Sequence, residues 1–294
     1  MRTAPGGTYA VGLIGAGIGG SLSPALHERE AALLGLEYAY RLFDLDELGR
    51  DPSDVGGLVR ETQELGLCGV NVTHPCKQLV VRELDELSPE AAALQAVNTV
   101  VFAGDRRIGH NTDASGFQEA FARGLPGAAT DHVVLVGAGG AGAAVGHAAL
   151  ALGAERVSVL DAEPDRARDL VDALTERFGP GRAVDRELGT LGDLLARADG
   201  LIHATPMGMA AYPGSAVPIE LLHAGLWVAE VVYMPVETDL LRGARARGCR
   251  TLSGAAMVAL QAAGSLELFT GAQPDRDRML DHVDALIADR RQAA

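Results

Sequence analysis

Short apolar blocks and longer apolar-periodic stretches alternate along this chain. Blocks rich in Val, Ile, Leu and Tyr, bounded by glycine or polar residues, predict strands over 11–14, 38–43, 69–72 and 96–102. Between them, apolar residues three and four apart predict helices over 24–34, 57–64 and 89–94, with another starting at Lys77 and running to Glu83. A second set begins near Asp113. It predicts strands over 132–136, 156–160, 200–204 and 226–232, and helices over 115–122, 141–152, 164–177, 235–247, 254–269 and 276–290. Strands that alternate with helices imply an α/β fold, with largely parallel sheets covered by helices. A length of 294 residues suits two such domains.

Glycine punctuates this pattern twice in the same way. Gly15, Gly17 and Gly20 form one Gly-x-Gly-x-x-Gly, and Gly137, Gly139 and Gly142 form another. Each comes after an apolar block, and each has an acid at the end of the next block, Asp44 and Asp161. A dinucleotide pyrophosphate needs an unbroken helix starting at the second glycine, with free N–H groups facing it. After Gly139 the chain runs on through alanines without a breaker. After Gly17 it meets Gly19, Gly20 and then Pro24, which suits only the first turn of a later helix capped by Ser23. The second motif is therefore the expected Rossmann-like cofactor site. The first reads as a loop that presents serines. Asp161 can accept ribose hydroxyls and repel a 2′-phosphate, which favours NAD over NADP. Arg166 has two readings, as a phosphate partner or as a surface ion pair.

Composition narrows the classes. A formal charge of −14 with no basic cluster argues against nucleic acid and membrane partners. Three cysteines, Cys68, Cys76 and Cys249, make no Cys-x-x-Cys, so neither a disulfide framework nor a zinc site is expected; a reducing, cytoplasmic setting is. No metal is expected. The opening residues lack the form of a secretory leader, and no apolar run is long enough to span a bilayer.

Four polar segments sit where strands meet helices: Ser21-Leu-Ser23-Pro24, Asn71-Val-Thr73-His74-Pro75-Cys76-Lys77, Ala96-Val-Asn98-Thr99 and Asn111-Thr112-Asp113. They offer hydroxyls, amides, an ammonium and a carboxylate, a set suited to gripping a small polyhydroxy acid and moving a proton. With Gly137-Ala138-Gly139-Gly140, Thr205-Pro206-Met207-Gly208-Met209, Tyr233-Met-Pro-Val-Glu-Thr238 and Gln261, they resemble, in order, the motifs of the shikimate/quinate dehydrogenase family.

The resemblance implies a substrate domain of residues 1–112 plus 251–294 and a dinucleotide-binding Rossmann domain of residues 113–250, with a cleft between them. It implies that Ser21 and Ser23 hold the substrate carboxylate, and that Thr73, Asn98, Tyr233 and Gln261 contact its hydroxyls or carboxylate. Lys77 and Asp113 would be the catalytic pair, Lys77 taking the hydroxyl proton as hydride leaves. The nucleotide would meet Gly137, Ala138, Gly139, Gly140, Ala141, Asp161, Arg166, Thr205, Met209, Val232, Gly254 and Met257. His74 and Cys76 read as structural neighbours of Lys77.

This chain departs from the family's biosynthetic pattern at three places. Ile18-Gly-Gly-Ser21 replaces a Pro-x-x-His-Ser segment, and Leu160-Asp161-Ala-Glu163 replaces an Asn-Arg-Thr segment suited to NADP. His203 stands where asparagine is usual. The segment from Val231 to Thr238 resembles the NAD-using quinate/shikimate branch. The expectation is thus reversible oxidation of shikimate, and of quinate, with NAD preferred and NADP second, by a monomer or homodimer. The rivals are a dehydrogenase for amino analogues, a methylenetetrahydrofolate-type dehydrogenase, which the paired serines and Tyr233-x-Pro argue against, and a non-catalytic metabolite-binding paralogue.

Overall fold

The structure, a computed structural model, describes residues 8–209 and 211–293. The chain divides into two compact units, Met1–Thr112 with Ala259–Ala294, and Asp113–Val258.

The first unit opens with strand β1 (Thr8–Gly15), helix α1 (Ser23–Leu33), β2 (Glu37–Asp44), the single turn α2 (Leu45–Leu48), α3 (Val55–Glu64) and β3 (Gly69–Val72). It continues through β4 (Glu86–Leu87), α4 (Pro89–Leu94), β5 (Thr99–Ala103) and β6 (Arg106–His110). The strand order is β2-β1-β3-β5-β6-β4. β1 pairs parallel with β2 and β3, whereas β5 runs antiparallel to both β3 and β6. The sheet is therefore mixed rather than largely parallel. Its apolar blocks pack as expected: Ile14, Val70, Val72, Val97 and Val100 are fully buried against Val55, Leu58 and Val59 of α3. Full burial of such a side chain contributes roughly 1.5–3 kcal/mol.

The second unit holds α5 (Asp113–Gly124), β7 (His132–Val136), α6 (Gly140–Ala151), β8 (Arg156–Leu160), α7 (Pro164–Phe178), β9 (Ala183–Asp185) and α8 (Leu191–Leu195). After these come β10 (Gly200–His203), β11 (Trp227–Glu230), α9 (Asp239–Ala246) and β12 (Arg250–Leu252). All pairings are parallel, in the order β12-β11-β10-β7-β8-β9. Renumbered within the unit, that is 3-2-1-4-5-6 read from the β9 edge. The order reverses between β7 and β10, where such sheets bind dinucleotides. Helix α10 (Gly254–Thr270) starts in this unit and continues into the first, and α11 (Arg276–Ala293) comes after it.

Several boundaries differ from expectation. Residues 251–258 fall with the second unit, because β12 completes its sheet by pairing with β11. Ser23 is the first residue of α1 rather than its cap; Leu22 holds the cap position, without a side-chain bond. Helix α5 begins at Asp113 rather than at Ser115. The stretch from Lys77 to Glu83 yields only a 3-10 turn over Leu79–Glu83. Helix α9 starts at Asp239 rather than at Pro235, because the Thr238 hydroxyl accepts from Leu241 N–H and fixes the N-terminus there.

Candidate active site

In the first unit, the order of the sheet also reverses, between β1 and β3. The loop after β1 carries Ser21 and runs into Ser23 at the start of α1, and the loop after β3 carries Thr73 and Lys77. Ala16 N–H donates to the His74 carbonyl (3.0 Å) and joins the two loops. Gly15 has to be glycine here, since a Cβ would collide with the Thr73 methyl. Asp44, at the end of β2 and 5% exposed, holds the serine loop from below. Its carboxylate accepts from Gly17 N–H (2.9 Å), Ile18 N–H (2.7 Å) and Asp46 N–H (3.1 Å). Ser23 N–H donates to Ser21 Oγ (3.2 Å), so the two serines form one short turn. Both serines, Thr73 and Lys77 are half-buried. Cys76, fully buried beside Lys77, has its thiol pushed up to about 11 by burial, which leaves it unreactive near neutral pH.

A buried polar cluster lies next to this loop pair in the same unit. Asn98 Oδ1 accepts from Thr112 N–H (2.9 Å) and Thr99 Oγ1 (3.0 Å), and its Nδ2 donates to Thr112 Oγ1 (2.9 Å) and Gln261 Oε1 (3.3 Å). The structure thus brings the expected substrate residues Asn98 and Gln261 together. Ser265, fully buried one helical turn after Gln261, ties the cluster up. Its oxygen receives Asn71 Nδ2 (3.1 Å) and lies within hydrogen-bond distance of Thr99 Oγ1 (2.8 Å), Thr112 Oγ1 (3.1 Å) and the Gln261 carbonyl (3.0 Å), to one of which its single proton goes. Tyr40 OH donates to Asn71 Oδ1 (2.8 Å). A buried network of this kind holds its members in one arrangement, because each unmade bond would cost about 1–3 kcal/mol.

In the second unit, Gly137 succeeds β7 with φ +105°. A Cβ there would lie 2.6 Å from the Ala204 carbonyl oxygen, so the glycine loop and the loop after β10 approach closely at the switch point. Gly142 is equally obligatory, as a Cβ would strike the Gly137 carbonyl. Gly139 takes the cap position of α6, and nothing lies within 4 Å of where its Cβ would be. Gly140 and Ala141 open the helix, so their N–H groups have no partner within it. Open space, amides left over by the helix and its positive end fit a dinucleotide pyrophosphate. Ala138 N–H is already used, donating to Asp161 Oδ2 (2.7 Å), while Asp161 Oδ1 accepts from Glu163 N–H (2.9 Å). Arg166 pairs with Glu163 (2.9 Å), both side chains more than half exposed.

Beyond the switch point, Thr205 and Met209 lie in the loop after β10, with Met209 42% exposed. Val232 and Tyr233 come after β11, Val232 buried and Tyr233 half-buried. Gly254 begins α10 hard against this segment, where a Cβ would collide with the Val231 carbonyl; Met257 lies one turn on and is buried. Asp113, 4% exposed, starts α5. Among the described residues, no group of three or more His, Cys, Asp or Glu could hold a metal ion, and no helix is long and apolar enough to cross a membrane.

Residues 13–100 match the shikimate dehydrogenase substrate binding domain. The chain is 60% identical over 279 residues to a shikimate dehydrogenase (NADP+) of Streptomyces avermitilis, an alignment that covers 95% of this chain and 96% of the relative. It is 44% identical over 270 residues to a quinate/shikimate dehydrogenase (NAD+) of Corynebacterium glutamicum, covering 92% and 95%. The chain belongs to the shikimate/quinate dehydrogenase family. Its fold agrees with that of quinate dehydrogenase from Corynebacterium glutamicum in complex with NAD, at a TM-score of 0.86 and 43% identity over 93% of this chain and 98% of that one.

Within this member of the family, several supporting residues escape a reading of the sequence. Ser265 lies four residues after Gln261, on the same helix face, and that spacing is the available signal. Thr112 draws notice only as the middle of a motif. Asp44 stands out as an acid after a strand, yet its use as a loop clamp shows only once the backbone N–H groups are placed. His203 stands out for replacing asparagine. Its partner Glu230 gives no signal, being one acid in an otherwise apolar strand.

Proposed function

We propose that this chain is an NAD-preferring shikimate dehydrogenase that also accepts quinate, oxidising a ring secondary alcohol reversibly to the ketone in the cytoplasm. The observation that carries the reading is the shared edge of the first sheet. Ser21–Ser23 come after β1, Thr73–Lys77 after β3 and Asn111–Thr112 after β6, while Asn98 precedes the antiparallel β5. The strand directions bring all four polar segments to one end of one sheet.

The roles rest on the chemistry of the side chains. Ser21 and Ser23 donate hydroxyl hydrogen bonds to the carboxylate. Thr73, Asn98, Tyr233 and Gln261 read the ring hydroxyls, the Asn98 cluster being locked in advance by Ser265 and Thr112. Lys77 takes the hydroxyl proton on oxidation and returns it on reduction; Asp113 balances its charge. Gly137 to Ala141 would hold the pyrophosphate, with Thr205, Met209, Val232, Gly254 and Met257 around the nicotinamide. When bound, the nicotinamide supplies the hydride acceptor.

NAD preference is supported by Asp161 at the end of β8. Only one lone pair on each of its oxygens is used by backbone, which leaves acceptor capacity for ribose hydroxyls. Arg166 is turned to Glu163 rather than left open for a phosphate. The NADP+ designation of the Streptomyces avermitilis relative points the other way. Initial rates of reduced-nicotinamide formation with shikimate and quinate, each with NAD and NADP, decide between them. Turnover with NAD well above NADP supports the reading; the reverse overturns the preference alone. In Lys77→Ala, turnover should fall by about 10²–10⁴-fold with substrate binding retained. Unchanged turnover refutes the role of Lys77. Silence of the wild type in all four pairs overturns the substrate.

A further inference from the structure

His203 and Glu230 are cross-strand neighbours at the carboxyl ends of β10 and β11. They are 1% and 2% exposed. His203 Nδ1 donates to Glu230 Oε1 (2.7 Å), and His203 Nε2 bonds with Thr205 Oγ1 (2.6 Å). The same Thr205 oxygen accepts from Met207 N–H (3.2 Å). Glu230 Oε1 also accepts from Val232 N–H (3.1 Å), and Oε2 accepts from Thr238 Oγ1 (3.1 Å). Thr238 in turn caps α9, and its methyl faces Gly208, whose Cβ would lie 3.3 Å away. One hydrogen-bonded chain, Thr205–His203–Glu230–Thr238, buried from His203 to Thr238, therefore hangs two loops from two strands.

A buried carboxylate is tolerated only when its oxygens are supplied with donors, and Glu230 has three. A purely apolar pair could close the core at this level. It could not pin the hydroxyl of Thr205 and the amide of Val232 at once. The two loops carry residues with different assigned tasks. Thr205, Met209 and Val232 are assigned to the nucleotide, and Tyr233 to the substrate. We infer that His203 and Glu230 are a positioning pair that sets, from a single buried anchor, the nucleotide contacts of the loop after β10 and the Val232 and Tyr233 contacts of the loop after β11. The inference rests on the roles proposed above for those four residues. His203 is the arm toward Thr205, and Glu230 is the branch point toward Val232, Tyr233 and Thr238.

Geometry makes the two residues separable. An asparagine amide at 203 can occupy the place of Nδ1 and still donate to Glu230, yet it ends before the position of Nε2. His203→Asn should therefore keep the Glu230 branch and lose only the Thr205 link. Glu230→Gln keeps the shape but removes the negative charge that strengthens the bonds from His203, Val232 N–H and Thr238, so both arms loosen.

The test measures Kd for NADH by nucleotide fluorescence in the absence of substrate, KM and kcat for shikimate, and Tm, for the wild type and both full-length variants. His203→Asn should raise the NADH Kd about tenfold, the factor of one lost hydrogen bond, with the shikimate KM within about twofold of wild type. Glu230→Gln should raise both constants by about tenfold or more. A lowered Tm with both binding constants unchanged in both variants would make the pair a fold element only and overturn the inference. Equal effects of His203→Asn on both constants would overturn the division of arms. Wild-type turnover is measured first: its absence sinks the dehydrogenase reading, while the NADH constants still decide whether the pair positions the nucleotide loop. Should Glu230→Gln not fold, Thr238→Val, which removes one donor from the same carboxylate, tests that branch through the shikimate KM, which should rise; no change overturns the branch.

Discussion

His27 shows what burial does to a single titratable side chain in this protein. It lies in the first unit among Tyr38, Tyr40 and Phe269, with its Nδ1 3.0 Å from Tyr38 OH. Burial lowers its pKa to about 3. The folded state thus refuses a proton that the unfolded chain takes near 6.5. Stability from this group is complete above the unfolded value and is lost as pH falls from there toward the folded one. The loss is roughly 1.4 kcal/mol per pH unit, or about 2 kcal/mol between pH ~6.5 and ~5. Urea unfolding at the two pH values should show a shallower pH dependence for His27→Gln than for wild type, by about one proton. Equal slopes would remove His27 from the account. Ser265 works by hydrogen bonds instead. Ser265→Ala should raise the shikimate KM about three- to tenfold by loosening Thr99 and Thr112, which hold the Asn98 amide, and leave the NADH Kd untouched, since Asn71, Thr99, Thr112 and the Gln261 carbonyl, which it binds, all belong to the first unit. A changed NADH Kd would count against that reading. The residues assigned to ligand are readable in the sequence because hydroxyl, amide and ammonium groups in otherwise apolar surroundings stand out. Their supports are not, because Ser265 and Glu230 act through partners 153 and 27 residues away, or more in the case of Asn71, 194 residues off.

Elements are legible where they are long and periodic. Strands β1, β2, β3, β7, β8, β10 and β11 all coincide with predicted apolar blocks. Strands β4, β9 and β12 are two or three residues long and carry no usable period. β6, Arg-Arg-Ile-Gly-His, hides its strand behind two arginines that pair with Glu86 and Asp85. The antiparallel β5–β6 hairpin is accordingly absent from the sequence expectation, and with it the mixed character of the first sheet. One strand contact carries a sharp prediction. Gly200 opens β10 directly beneath the Trp227 indole, which stacks edge-on with Phe121 (4.9 Å) and donates to the Ala129 carbonyl (2.7 Å). A Cβ at 200 would overlap the indole, and the ring, held on two sides, has little room to yield. Gly200→Ala should cost about 1–3 kcal/mol. In thermal melts that is a drop of several degrees, about 2–4 °C per kcal/mol for a unit of this size. A melt within about one degree of wild type would show that the ring moves aside.

At the scale of the whole molecule, two sheet-and-helix units are foreseeable from the alternation of blocks. The helices after the two glycine motifs differ as the placement of Pro24 implies: α6 begins at Gly140, inside its motif, whereas α1 begins only at Ser23, past Gly20. The return of the chain to the first unit is expected at residue 251 and occurs at Ala259, because a three-residue edge strand leaves almost no trace in a sequence. The feature that separates the motifs least is the acid after each. Asp44 and Asp161 come at the end of the second strand of their units, and each holds the preceding glycine loop by backbone N–H groups while also accepting from the amide two residues on. For anyone wishing to redesign the coenzyme choice of this enzyme, that matters. Asp161 is a brace before it is a reader. Asp161→Ser, the obvious substitution to admit a 2′-phosphate, should weaken NADH and NADPH alike by loosening the loop at Ala138, as paired titrations would show; a clean exchange of preference would contradict the bracing role. The positions open to redesign are the exposed Ala162 and Glu163, where a new side chain can change the neighbourhood of the proposed ribose site without replacing the bracing carboxylate.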